Sequence, residues 1–125
     1  MDYQFAIVVE PNTSKSDLKS IEVTLPCGVI SRIRVYFPWG SAGLLGVAIF
    51  HNERQIYPST VGEYYQGNDI LIEFEDSYKL EENWNRIVLK AYNEDDTYVH
   101  TAIVGITLIE SDRFLTIPEL LVGIE

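Results

Sequence analysis

Cysteine is almost missing: Cys27 stands alone in 125 residues. No intrachain disulfide can form, and no cysteine cluster can build a structural zinc site. Positive charge is scarce too, with 9 Lys and Arg against 19 Asp and Glu and a formal net charge of −10. A nucleic-acid groove needs concentrated cations, so that class of partner is excluded. There is no apolar run long enough to span a bilayer, and residues 1–5 carry no cationic segment before their short apolar stretch. Neither a signal peptide nor a membrane span is expected. Only two histidines, His51 and His100, are available for acid–base or metal chemistry.

What the chain has is hydrophobic content, 46% with 12% aromatic, which is enough for one core-forming domain over residues 1–125. Most of it alternates with period two, the signature of strands. Tyr3, Phe5, Ile7 and Val9 define a first strand. Residues 13–20 are polar and read as a loop or a contact arm. Ile21, Val23 and Leu25 follow, and Pro26-Cys27-Gly28 is expected to turn the chain into a third strand. There Val29, Ile33, Val35 and Phe37 face inward, while Arg32, Arg34 and Tyr36 face out. A loop carrying Trp39 leads to a strand at residues 44–51, where Gly46 predicts close backbone approach or a bulge. Residues 54–57 and 70–75 form further strands, separated by a break that holds Tyr64 and Tyr65. Residues 76–85, with Trp84, read as a polar loop. Residues 86–92 and 98–109 form a long hairpin around the acidic tip Asn93-Glu94-Asp95-Asp96, its second arm apolar on both faces and read as a central strand covered on each side. The remainder, residues 110–125, is an apolar tail that packs on its own domain or on a neighbour. About eight strands with Gly and Pro turns predict an all-β antiparallel sandwich, jelly-roll-like.

Motifs with chemical content are few. Neither histidine sits in a Gly-x-Ser-x-Gly context, and neither has the paired-histidine spacing of a cupin metal site, so both are read as structural. Asp95 and Asp96 offer clustered carboxylates to a calcium ion but lack the EF-hand spacing. Gly40, Gly43 and Gly46 are not followed by Lys-Ser/Thr, so no phosphate loop is present. No catalytic residue, resident metal or cofactor is assigned. The paired arginines Arg32 and Arg34 are either solvated ion-pair partners or a docking patch for an acidic surface. Trp39 is a cap, an oligomer contact or a stacking ring. Phe114, Leu115, Ile117, Leu120 and Leu121 in the tail join Trp39, Arg32 and Arg34 as interface candidates.

Two stretches, GSAGLLGVAIFH at 40–51 with QIYP at 55–58, and NEDDTY at 93–98 with His100-Thr101, carry a resemblance. Together they resemble small proteins encoded among the virion genes of tailed bacteriophages and related viruses. The resemblance implies a virion component made in the host cytoplasm, a capsid decoration or accessory protein with no catalytic residues, that binds the capsid or other virion proteins. A homo-oligomer, first of all a trimer, is expected, with no nucleic acid or membrane partner. The alternative is a carbohydrate-binding module whose sugar-stacking rings are drawn from Trp39, Tyr64, Tyr65 and Trp84.

Overall fold

A computed structural model describes residues 1–110. It is all-β and antiparallel, with seven strands: β1 (Asp2–Val9), β2 (Lys19–Phe37), β3 (Leu45–His51), β4 (Arg54–Tyr57), β5 (Tyr65–Gln66), β6 (Ile70–Asn93) and β7 (His100–Glu110). The hydrogen-bonded path runs β1-β7-β2-β6-β3-β4, with β5 also on β3. The pairings are nested, first strand with last, second with sixth and third with those between, which is the winding of a rolled-up hairpin.

Two predicted breaks are strand, which merges the expected eight strands into six, and the short β5, which was not expected, makes seven. Pro26-Cys27-Gly28 does not turn the chain; it lies inside β2, where the register against β6 shifts between Pro26 and Gly28. A bulge tolerates proline because the amide it lacks has no ladder partner there. Likewise residues 76–85 are not a loop but the middle of β6, with Leu80 buried and Tyr78 half-buried while acids and Trp84 face water. Their alternation was hidden by polarity on the wet face. The predicted polar loop is also shorter than expected, since β2 already begins at Lys19.

Being so long, β2 and β6 serve both halves of the structure. The half holding β1, β7, the end of β2 and the start of β6 packs Ile7, Val35 and Val104 into the same core as Leu45, Ile49 and Leu89 of the other half. Within this core Ile30, not Val29, points inward. Ser31 is an extra residue opposite β7: Ile30 pairs with Leu108 and Arg32 with Thr107, so the alternation resets there. β7 is indeed flanked on both sides, by β1 and β2. Its even-numbered residues from Ala102 to Leu108 are buried, but Ile103 is only half-buried and Ile109 is exposed. Expected cover on that second face is therefore incomplete among the described residues.

Candidate functional site

The structure separates two surfaces, an outer sheet face and a concave edge. The outer face is read from the register. Tyr36 lies between the buried Val35 and Phe37 and so faces out. Its partners across the ladders are Leu71 on β6 and Ile103 on β7, and Ile103 in turn pairs with Ala6 on β1. Residues paired in register share a face, so Ala6, Ile103, Tyr36 and Leu71 form one apolar row across four strands. Tyr36 is 39% and Leu71 50% exposed.

The next rows are polar and internally paired. Arg32 donates to Glu73 at 2.8 Å and to Glu75 at 3.0 Å. Arg34 donates to Thr107 Oγ1 at 3.0 Å and reaches Asp2 at 3.4 Å. Its guanidinium lies across Gly105, where a side chain would collide with it. Of the two readings of these arginines, intramolecular pairing accounts for every polar contact the structure gives them.

At the concave edge the fold leaves a seam. β4 ends one half of the sheet, and residues 70–79 of β6 have a ladder partner on one side, β2. Between these edges lies a hollow of about 710 Å³ whose walls include Tyr57, Tyr65, Phe74 and Asp76. Beside it is a second hollow of about 780 Å³ bordered by His51, Glu53, Lys79 and Glu82. Arg54 and Tyr78 line both.

The rings brace one another edge to face: Tyr57 is 5.5 Å from Phe74 and 6.3 Å from Tyr78 between centroids. Tyr57 donates a short hydrogen bond to Asp76. Burial, and after it this carboxylate, holds the Tyr57 hydroxyl far above its ordinary range. Burial and the same charge push Tyr65 up to about 12. Gln55, buried beneath, donates from Nε2 to the carbonyls of Pro58, Thr60 and Glu63 and accepts from the amide of Gly62. One side chain thus holds the loop at residues 58–63 that forms the lip. Gln55 was not anticipated, since glutamine in a short strand carries no distinguishing pattern. Tyr57 and Phe74 were legible only as strand residues, and Tyr78 fell in the predicted loop.

The predicted site residues scatter. Tyr65 reaches the concavity; Trp39, Tyr64 and Trp84 do not line it. Trp39 is 80% exposed after β2 and caps nothing among the described residues, while Trp84 is 70% exposed at the β2–β6 bulge. Tyr64 spends its ring on an edge contact with the buried Tyr92, at 5.0 Å. Tyr64 is thus partly packed, and Trp84 lies in a strand rather than the expected loop.

At the hairpin tip, Asp95 is already committed: Oδ1 accepts from the amides of Thr97 and Tyr98, and Oδ2 lies 2.8 Å from His100 Nε2. Asp96 accepts from Thr97 Oγ1. The histidine contact first, then the amides, hold the Asp95 carboxyl below its ordinary value. This is an Asx-type turn that spends the carboxylates which calcium would need. Among the described residues no group of three or more His, Cys, Asp or Glu could hold a metal. His51 pairs through Nδ1 with Tyr78 Oη at 2.8 Å, and its Nε2 is buried without a partner. The tail candidates Phe114, Leu115, Ile117, Leu120 and Leu121 lie outside the described residues.

No family model and no curated protein matches this chain. Among solved structures, the crystal structure of PirA matches over 86% of this chain and 95% of that chain, at 13% identity and a TM-score of 0.44. A likeness at that level carries no argument about function.

Proposed function

We propose that the chain is a non-catalytic accessory protein of a virion, of the capsid-decorating kind, docking on a capsid protein through its outer sheet face. The observation that carries this reading is the apolar row Ala6, Ile103, Tyr36 and Leu71, in register over four strands. Exposed apolar side chains scattered singly need no explanation, but a contiguous row does. Arg32 and Arg34 are neutralised within the sheet, so they rim the face without demanding charges from a partner. Burial of the row supplies the driving force, at about 25 cal/mol per Å² of apolar surface. The likeness of residues 40–51 and 55–58, and of residues 93–98 with His100-Thr101, to virion-encoded proteins supports a capsid protein as the occupant. In this reading the protein is made in the host cytoplasm and assembles as a closed homo-oligomer, a trimer first, through the apolar residues of the tail.

The test is mass spectrometry of density-purified particles made from the genome that encodes the chain, with wild type and with Tyr36→Glu/Leu71→Glu. Both substituted positions face water, so folding is retained, checked by circular dichroism. The expected result is wild-type protein in the particle at fixed stoichiometry and loss of the variant. Particles that lack the wild-type chain, or that retain the variant fully, overturn the proposal.

A further inference from the structure

We propose that the seam between β4 and the first half of β6 is a second, independent site, a groove that binds a neutral oligosaccharide. Its two hollows meet at Tyr78 and Arg54, and each has the volume of a small-ligand pocket. A ligand that fills both is therefore extended, with its middle over the Tyr78 ring.

The lining selects the ligand class. Arg54 and Lys79 donate; Glu53, Glu75, Asp76, Glu81 and Glu82 accept; and the rings of Tyr65 and Tyr78 are half-buried at the surface of the groove. A sugar hydroxyl both donates and accepts, and the C–H face of a pyranose packs on an aromatic ring, so a polyhydroxylated chain uses all three kinds of group. The five carboxylates outnumber the two cations and repel a phosphorylated or uronic acid polymer.

The groove is also pre-organised. Tyr57 fixes Asp76 by hydrogen bonding to Oδ2, leaving Oδ1 without a partner among the described residues. Gln55 fixes the lip through its four contacts. His51 holds Tyr78 from below. Little ordering is left for the ligand to impose, which is what lets a shallow site bind. Tyr57, Gln55 and His51 are thus positioning residues, and Tyr65, Tyr78, Asp76 and Arg54 contact the sugar.

Amide chemical-shift mapping tests this directly, and the same spectra report whether each variant is folded. The probes are cellohexaose, maltohexaose, xylohexaose, laminarihexaose and chitohexaose, each raised to about 10 mM, well above the weak range of single-site affinities. At least one is expected to shift amides in both hollows, around residues 51–58 and 74–82. Binding should weaken at least about tenfold, or 1.4 kcal/mol, in Asp76→Asn and in Tyr65→Ala. Asp76→Asn keeps an acceptor for Tyr57, so its loss reports the charge and not the fold. Trp39→Ala and Trp84→Ala should bind as wild type. The inference is overturned by silence from all five sugars, by shifts centred on Trp39 or Trp84, or by tetramethylammonium shifting these amides where no sugar does. Such a failure would leave docking through the outer face untouched, because Tyr36→Glu/Leu71→Glu alters neither hollow.

Discussion

Replacing Gly46 by alanine should be among the most damaging single-methyl changes in this protein. Gly46 pairs with Tyr92 across the β3–β6 ladder, and the Tyr92 ring lies over the glycine. An added Cβ would stand within 3.0 Å of three atoms of that ring, closer than real Cβ atoms come. The ring has little room to retreat. It is fully buried, accepts a hydrogen bond on its hydroxyl from Gln66, meets Tyr64 edge-on at 5.0 Å and lies under the Lys15 ammonium at 4.9 Å.

Overpacking of this kind costs about 1–3 kcal/mol, and displacing the hydroxyl from Gln66 adds about 1 kcal/mol. Against this, alanine recovers about 0.4–1 kcal/mol by restricting the unfolded chain. The net loss is about 2 kcal/mol, or a fall in Tm of about 6–10 °C for a domain of this size. Urea unfolding followed by far-ultraviolet circular dichroism should show a lower midpoint at unchanged slope. Tryptophan emission is the poorer probe, since Trp39 and Trp84 are exposed in the native state. The control is Gly105→Ala. There the obstacle is the end of the Arg34 side chain, which can swing away at the cost of weak surface pairs, below about 1 kcal/mol. The reasoning fails if Gly46→Ala unfolds within about 0.5 kcal/mol of wild type, or if Gly105→Ala costs as much.

Three further outcomes are expected. Asn93→Ala should cost about 2–4 kcal/mol in urea unfolding, because Nδ2 donates to the carbonyls of Val9 and Tyr98 and Oδ1 accepts from Asp95, all at a fully buried root of the hairpin. Asp95, whose carboxyl the His100 contact holds below the ordinary 3.8, contributes stability that is present above that pH and lost as pH falls through its lowered folded value. Asp95→Asn should flatten that acid limb of a stability profile. At the alkaline end, Tyr57 and Tyr65 are raised from 10.0, the latter to about 12, so their contribution is complete below pH 10 and lost as pH climbs through the folded values. Phenolate absorbance should show these two ionising late among the eight tyrosines, and Tyr57→Phe or Tyr65→Phe should remove part of that slope.

The fold class was legible because one-sided alternation, as in Tyr3 to Val9 or Ile70 to Phe74, is written directly in the residues. At Gly46 the expected close backbone approach or bulge is instead the ring of Tyr92 lying over the glycine. Strand ends and faces were lost where bulges intervene. Nothing in SRIRVYF marks Ser31 as an extra residue, yet it moved Val29 outward and Ile30 inward. Likewise proline and glycine at 26 and 28 look the same in a turn and in a bulge, and only the partner strand decides. The concave edge was illegible for a different reason. Tyr57, Asp76 and Tyr78 belong to strands that meet only because β6 runs past the end of β3, and Asp76 was assigned to a loop.

One strand carries both proposed surfaces. In the first half of β6 Leu71 and Glu73 point to the outer face with Tyr36 and Arg34, while Phe74, Asp76 and Tyr78 line the groove. Over residues 71–74 the period of the strand sets Leu71 and Glu73 apart from Ile72 and Phe74, while beyond the register shift at residues 75–78 both parities reach the groove, Glu75 and Lys79 included. A slip of one residue in the β2–β6 register would exchange the two pairs, putting Leu71 into the core and Phe74 into water. What opposes such a slip is the ladder itself: on the outer side Arg32, opposite Glu75, pairs with both Glu75 and Glu73. Ile33 against Phe74 and Val35 against Ile72 fix the inner one. The ion pairs are weak contributors to stability on the surface, but a one-residue shift would set Arg34 against Ile72 or Phe74, and in one direction Arg32 against Phe74. Their use in this fold is to specify which face of β6 is which.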